Sequence, residues 1–371
     1  MPSTAAKSKN WGNCPWTVDF QAPDREFPSQ VDYAVVGGGF TGLSAAARLK
    51  ILAPQATIAL FEADSFGAGS SGHTGGVVLA ESAVGDLPGL GDVLAGYQEI
   101  LHEFDIDAGL ELPGVYELGR SKPLKNSPMR WNDSGTLVAT AEVPGGHVDP
   151  GRVVSGLARA ANDRDVFLFE HTPVERAEFL GTILLHTHRG SVQARHVLFA
   201  TNAFSLELTG LSDRAESKFT LALATEPFPE EDLRAIGLHE RKSFYTVDLP
   251  YLWGRPYEDN ALILGSGLIH LEHWQELATL DIAAPEAQSL FSRLENRIRS
   301  MHPALSGVSF THRWGGPICI AESWRPVFAH HPKSKNAIVL GAYSGHGVAQ
   351  SVYLGSWAAQ ALLGKRKLPS W

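Results

Sequence analysis

The chain has 371 residues, enough for two intimately joined domains rather than one simple core. Its composition, 44% apolar and 19% charged, is that of a globular protein and excludes a disordered or fibrous chain. A net charge of −9, with no basic stripe, argues against nucleic acid or an anionic membrane as the main partner.

In chain order, residues 1–30 are rich in Pro, Trp and polar residues without periodicity and read as an extended arm lying over the domain. The opening MPSTAAKSKN lacks the apolar stretch of a signal peptide. No run approaches the ~18 apolar residues of a membrane span, so a cytoplasmic protein is expected. Val31 to Val36 is a β-branched run that predicts a buried strand. Glycines follow, and Leu43, Ala46, Ala47, Leu49 and Lys50 keep helical spacing up to a stop near Pro54. Thr57 to Phe61 predicts a second parallel strand closing on Glu62.

The Gly- and Ser-dense segment 64–80 predicts a loop passing close to a ligand or to another backbone. Residues 92–106 predict a helix. A second helix, from about Arg152 to Asn162, leads into the strand-like runs FLFEH, TILLHTH and ARHVLFATN. The stretch 240–270 alternates as strands do, and 285–301 is helical. The tail adds a strand from Ala337 to Leu340, a glycine-rich turn and a last helix from about Val348 to Leu363.

The run Gly37-Gly38-Gly39-Phe40-Thr41-Gly42 places G-x-G-x-x-G between a strand and a helix, the arrangement of a dinucleotide-binding βαβ unit. Gly37 allows the tight turn, Gly39 lets a pyrophosphate approach the backbone, and Gly42 lets helix and strand pack closely. The free N–H groups of the helix start favour the anion. Glu62 stands twenty residues past Gly42, where a carboxylate can accept ribose hydroxyls. The pattern alone fits FAD or NAD. Two features favour FAD: a second glycine cluster, Gly341 to Gly347, enters the last helix, and no other G-x-G-x-x-G stands between a predicted strand and a predicted helix to hold NAD(P)H. A helix start at that cluster would stabilise negative charge on a reduced flavin.

These motifs, together with LFEADSFGAGSSGHTGG, HVDPGRVVSGLARAA, TPVERAEF, VLFATNAF and VLGAYSGHG, resemble the D-amino-acid oxidase and sarcosine oxidase superfamily of FAD-dependent amine oxidoreductases. The opening and the loop before Gly75 are most similar to its γ-glutamylputrescine oxidoreductase-like members. The resemblance implies a Rossmann-type FAD domain of the glutathione-reductase-like kind from 31–85, 145–210 and 310–371. A substrate domain with a mostly antiparallel sheet would come from 86–144 and 211–309, with the active site where the two meet.

It also implies site residues. Gly37, Gly39, Phe40, Thr41, Gly42, Glu62 and Ala63 would hold the ADP half of FAD, with Val174 at the adenine. Ser70, Ser71, His73, Thr74 and Gly75 would line the flavin, and Ala200, Thr201 and Asn202 would close the site. Gly345, His346, Gly347 and Val348 would meet the pyrimidine side of the ring. The implied reaction is hydride transfer from an amine-bearing carbon to flavin N5, followed by imine hydrolysis. Oxygen or another acceptor would take the electrons.

His73 and Cys319 stand near positions where relatives attach flavin covalently, though a loop histidine that at most contacts the flavin and a buried free cysteine are the favoured readings of the two. Ile263 takes the place of a lysine that promotes reaction with oxygen, and Ala349 is near that of a lysine that holds a substrate carboxylate. Substrate-pocket candidates are Tyr251, Trp253, Arg255, His312, Arg313, Trp314, Tyr343 and His346: aromatics to cage a cationic amine, arginines to clamp a carboxylate. The same tryptophans could equally be core and the arginines structural. No metal centre is expected, since two cysteines, Cys14 and Cys319, cannot make a Cys-based metal site and adjacent His330 and His331 do not converge on one ion. A flavin-binding subunit without its own catalysis, or an NAD-linked dehydrogenase, are the alternative readings.

Overall fold

The computed structural model describes residues 9–125 and 127–371; the first eight residues of the expected arm and position 126 lie outside the described residues. Two eight-stranded sheets carry the molecule. The first runs in the order Val327–His331, Ser334–Gly341, Gly190–Phe199, Gln30–Val36, Ile58–Phe61 and Phe167–Phe169. Gln30–Val36 is central and pairs in parallel with Gly190–Phe199 on one side and Ile58–Phe61 on the other. Strands covered on both faces need continuous apolar runs, and IALF, wholly buried, is such a run. The hairpin Arg176–Phe179 and Ile183–Thr187 extends Gly190–Phe199 in antiparallel fashion.

Helices Phe40–Leu52, Pro150–Asn162, Val93–Glu103 and Gly347–Leu362 pack together, with Phe40–Leu52 against both the last helix and Pro150–Asn162. Val93–Glu103, expected with the substrate domain, instead packs on the last helix of the nucleotide layer. Its apolar stripe, Val93, Tyr97, Ile100 and Leu101, is buried there.

The second sheet runs Phe310–Ala321, Ala215–Thr225, Leu262–His270, Trp253–Pro256, Ser243–Thr246, Val115–Gly119, Thr136–Val143 and Arg130–Asn132. It is antiparallel except where Ser243–Thr246 meets Val115–Gly119. Phe310–Ala321, expected in the nucleotide domain, is an edge strand of this sheet, bonded along its length to Ala215–Thr225. Helix Pro285–Met301 packs against this sheet through Leu262–His270 and Arg130–Asn132.

The arm does more than lie over the surface. Trp11 and Trp16 are buried, Gly12 bridges Trp314, and the Gly315 N–H donates to the Trp11 carbonyl at 2.9 Å. Among the described residues no helix is long and apolar enough to cross a membrane.

Candidate active site

A continuous cavity of about 1780 Å³ runs between the two sheets, larger than the ~300–1,000 Å³ of an ordinary small-molecule pocket. At one end stands the glycine turn. A Cβ on Gly37, whose φ is +110°, would meet the Ala200 carbonyl oxygen at 2.6 Å, and one on Gly42 would meet the Gly37 carbonyl oxygen at 1.9 Å. Gly37 therefore makes the turn, and Gly42, which is off the cavity wall, lets the helix press on the strand. A Cβ on Gly39 would crowd Ser71 Oγ at 2.7 Å, closing the cradle from the cavity side.

Helices Val93–Glu103 and Pro150–Asn162 begin with aspartates, Asp92 and Asp149, whose side chains accept backbone N–H groups at 2.9 Å. The two long helices that start on the cavity, at Gly39 and His346, have no side-chain cap from their N-cap residues and no acidic residue in the first turn. Ser71 Oγ accepts the Phe40 N–H at 2.9 Å, and the remaining first-turn donors suit an anion. Two such helix starts on one elongated cavity, with a glycine cradle between strand and helix, fit a dinucleotide with a second charged end. The residues present fit FAD.

Glu62 closes the second strand. Its carboxylate accepts the Gly38 N–H at 2.6 Å and the Asp64 N–H at 2.9 Å. Burial pushes its pKa above the ordinary carboxylate value, and those N–H donors work against the shift. Val174 lines the cavity nearby, where the Thr172 N–H donates to the Glu62 carbonyl at 2.7 Å.

The short helix Ser70–His73 breaks the expected loop. Ser70 Oγ donates to the Pro317 carbonyl at 2.8 Å and accepts from Asn202 Nδ2 at 3.0 Å; Asn202 Oδ1 accepts the Ala342 N–H at 2.9 Å. His73 Nδ1 donates to the Gly69 carbonyl at 2.9 Å, and its ring stands edge-on to Trp11 at 5.2 Å. Burial lowers its pKa, so the imidazole is neutral at pH 7. Cys319 lies on the wall with its thiol pushed up to about 12 by burial, which keeps it from being a thiolate. Ala63, Thr74, Gly75, Ala200, Thr201, Gly345, His346, Gly347 and Val348 also line the cavity.

Buried donors hold the outer side of this loop. Trp16 Nε1 donates to the Gly72 carbonyl at 2.7 Å, Trp314 Nε1 to the His73 carbonyl at 3.0 Å, and Arg255 Nε to the Gly75 carbonyl. Arg255 and Trp314 are thereby corrected from the substrate pocket to the loop's scaffold. Arg255 shares a sheet face with Trp253 but lies two residues further along, where Gly75 and Gly76 cross over it. It is buried, with one guanidinium nitrogen unpartnered, and burial draws its pKa down to about 10.

Arg313 is a second correction. Strand alternation turns it away from Trp314, and it binds Glu295 of helix Pro285–Met301. His312 bonds to Thr311 and is also off the wall. Ile263 packs with Trp16 and Trp314, and Ala349 is buried in the last helix. Neither lines the cavity. Tyr343 reaches the wall with its hydroxyl bonded to Thr41 at 2.7 Å.

The second sheet supplies the other end of the cavity. Tyr251, Trp253 and Trp324 line it, with Tyr245, Glu81, Glu117 and His270, which have no motif to mark them in sequence. Trp253 occupies the space a side chain on Gly75 or Gly265 would need: Cβ atoms there would lie 1.9 and 2.0 Å from its ring. His346, its pKa lowered by burial, sits with its ring 6.4 Å from Tyr245.

A family model described as DAO, FAD dependent oxidoreductase, matches residues 32–361. The chain is 24% identical over 381 residues to the γ-glutamylputrescine oxidoreductase of Escherichia coli K12, covering 90% of this chain and 84% of that protein. Among solved structures it resembles glycine oxidase from Geobacillus kaustophilus, with TM-score 0.71, 17% identity and coverage of 91% and 96% of the two chains. L-amino acid deaminase from Proteus myxofaciens gives TM-score 0.73 at 15% identity, covering 97% and 95%. These likenesses show the shared fold.

Proposed function

This chain belongs to the DAO family of FAD-dependent oxidoreductases, and from that premise we infer that it oxidises a carbon–nitrogen bond of a small amine or amino acid. The observation that carries this reading is the continuity of one cavity from the glycine turn and Glu62 to the aromatic wall of the second sheet. The named activities of γ-glutamylputrescine oxidoreductase, glycine oxidase and L-amino acid deaminase support the substrate class.

Gly37, Gly39, Phe40 and Thr41 take the pyrophosphate at the first helix start, Glu62 the ribose, and Val174 the adenine. Gly345 to Val348 take the pyrimidine edge of the ring at the last helix start, where the dipole favours negative charge. FAD held there would supply the two-electron oxidation of the amine-bearing carbon, and water would hydrolyse the resulting imine to a carbonyl compound and an amine or ammonia. The chain orients both partners. Ser70, Asn202 and the three donors behind the loop hold its backbone still, and Tyr251, Trp253 and Trp324 line the substrate end.

The Gly69 carbonyl takes His73 Nδ1 and burial pushes the Cys319 thiol up, which favours a dissociable cofactor over a covalent one. A visible spectrum before and after acid precipitation tests the assignment. Bands near ~370 and ~450 nm that move to the supernatant are expected of dissociable FAD. Colour retained in the pellet would establish a covalent link, and a colourless chain that FAD cannot reconstitute would overturn the reading.

A further inference from the structure

Register partners across the second sheet form one transverse row: Glu117 opposite Tyr245, Tyr245 opposite Trp253, Trp253 opposite Gly265, and Gly265 opposite Ala222. Side chains in one such row share a face. Here that face is the cavity wall, which Glu117, Tyr245, Trp253 and Ala222 all line. The Tyr245 hydroxyl lies 2.7 Å from Glu117 Oε1 and 2.8 Å from Glu81 Oε1. Glu81 arrives from beyond the short strand Val77–Leu79 and also lines the wall.

A phenol has one hydrogen to give, so it satisfies one of these carboxylates fully and the other poorly. Neither Glu81 nor Glu117 has an ion-pair partner among the described residues. The chain's own cations are engaged elsewhere. No arginine lines the cavity among the described residues, and its lysine, Lys9, pairs with Asp64 at 2.7 Å. The arginines that could have clamped a carboxylate serve the loop and Glu295 instead. This wall therefore offers a ligand acceptors, a neutral phenol and the Trp253 ring, with no free Lys or Arg for a carboxylate. The pair stands inside the cavity that a substrate of this family must enter, and that location marks it as a ligand wall rather than an acidic surface.

We propose that Glu81 and Glu117, bridged by Tyr245, receive an ammonium group, and that the substrate is a diamine. This rests on the amine-oxidising reading above and deepens it. The second nitrogen follows from the chemistry. An ammonium held by two carboxylates keeps its proton, because nearby opposite charge favours the charged form. An amine must be neutral to give up a hydride from its carbon, since the nitrogen lone pair forms the imine bond. The nitrogen at the pair is therefore not the one that reacts. A substrate of this site carries one ammonium at the glutamates and a second, neutral amine at the flavin.

The test compares 1,4-diaminobutane, butylamine and 4-aminobutanoate on the FAD-loaded enzyme, with binding read by calorimetry and reduction by anaerobic bleaching of the flavin band. The diamine is expected to bind about 30-fold more tightly than butylamine, a ratio of ~2 kcal/mol. Glu81→Gln and Glu117→Gln, which keep an acceptor for Tyr245, should each weaken the diamine about tenfold. Equal binding of diamine and butylamine by the unmodified enzyme would overturn the proposal, as would preference for 4-aminobutanoate; neither readout depends on the variants folding. Failure of every amine to bleach the flavin would instead count against the amine-oxidising reading, while the binding order still reports on the acidic pair.

Discussion

The two ends of the cavity are built by different means. The nucleotide end is made largely of backbone: glycines without room for a Cβ, two helix starts whose N-cap residues supply no side-chain cap, and loop carbonyls held from behind. The substrate end is made of side chains that meet only because strands pair in one register. Backbone sites tolerate almost no change in shape and are indifferent to surface charge. Side-chain sites keep their shape under substitution and change what they bind.

Gly42→Ala is the strongest way to break this contrast. Its Cβ would fall 1.9 Å from a backbone oxygen that cannot swing aside, whereas Gly307, with nothing within 4 Å, is the matched control. Loss of flavin absorbance relative to protein, with a destabilisation of about 3 kcal/mol or more, is expected for Gly42→Ala alone. A Gly42→Ala protein that purified yellow with an unchanged melting temperature would show the cradle to be more pliant than its geometry implies.

Trp16→Phe tests the scaffold behind the loop. It removes the donor to the Gly72 carbonyl and keeps most of the ring, so FAD should dissociate more readily by about five- to tenfold, from a bond worth ~1 kcal/mol. Fluorescence of released FAD on dilution measures it. A changed Michaelis constant with unaltered FAD retention would mean that the arm serves the substrate end instead.

Arg313→Ala sharpens the comparison from the other side. The arginine pairs with the largely buried Glu295 behind the sheet, so stability should fall by about 1 kcal/mol while the Michaelis constant stays within about twofold. A tenfold rise for a carboxylate-bearing substrate would return Arg313 to the pocket.

The last effect concerns acid. His147 is buried beside the strand Val77–Leu79, and burial, followed by the nearby Arg255 charge, holds its pKa down to about 4. The unfolded chain takes up that proton near pH 6.5 and the folded chain does not. Stability from this group is therefore whole above about pH 6.5 and declines as pH falls toward about 4, by up to ~1.4 kcal/mol per pH unit. Chemical denaturation at pH 7 and pH 5 should show the loss in the native chain and a smaller one in His147→Gln.

Much of the nucleotide end was legible in the sequence because its determinants are local. The strand, the glycine run, the helix and Glu62 fall within about thirty residues, and a turn that admits no Cβ announces itself by its glycines. The second glycine cluster was legible for the same reason. The short helix Ser70–His73 was not, since four residues carry too little periodicity to separate from a loop.

The substrate end was decided by tertiary structure. Tyr245 and Glu117 meet only through the register of Ser243–Thr246 on Val115–Gly119, and Glu81, 164 residues from Tyr245, joins them from beyond the strand Val77–Leu79. Arg255 and Arg313 carry the right chemistry for a carboxylate, yet a crossing loop takes one and strand alternation turns the other to the opposite face. A sequence by itself determines what each residue can do within the few neighbours that its own backbone brings near. Which long-range partners it meets, and on which side of a sheet, depends on pairing register, where a shift of one residue reverses every side chain.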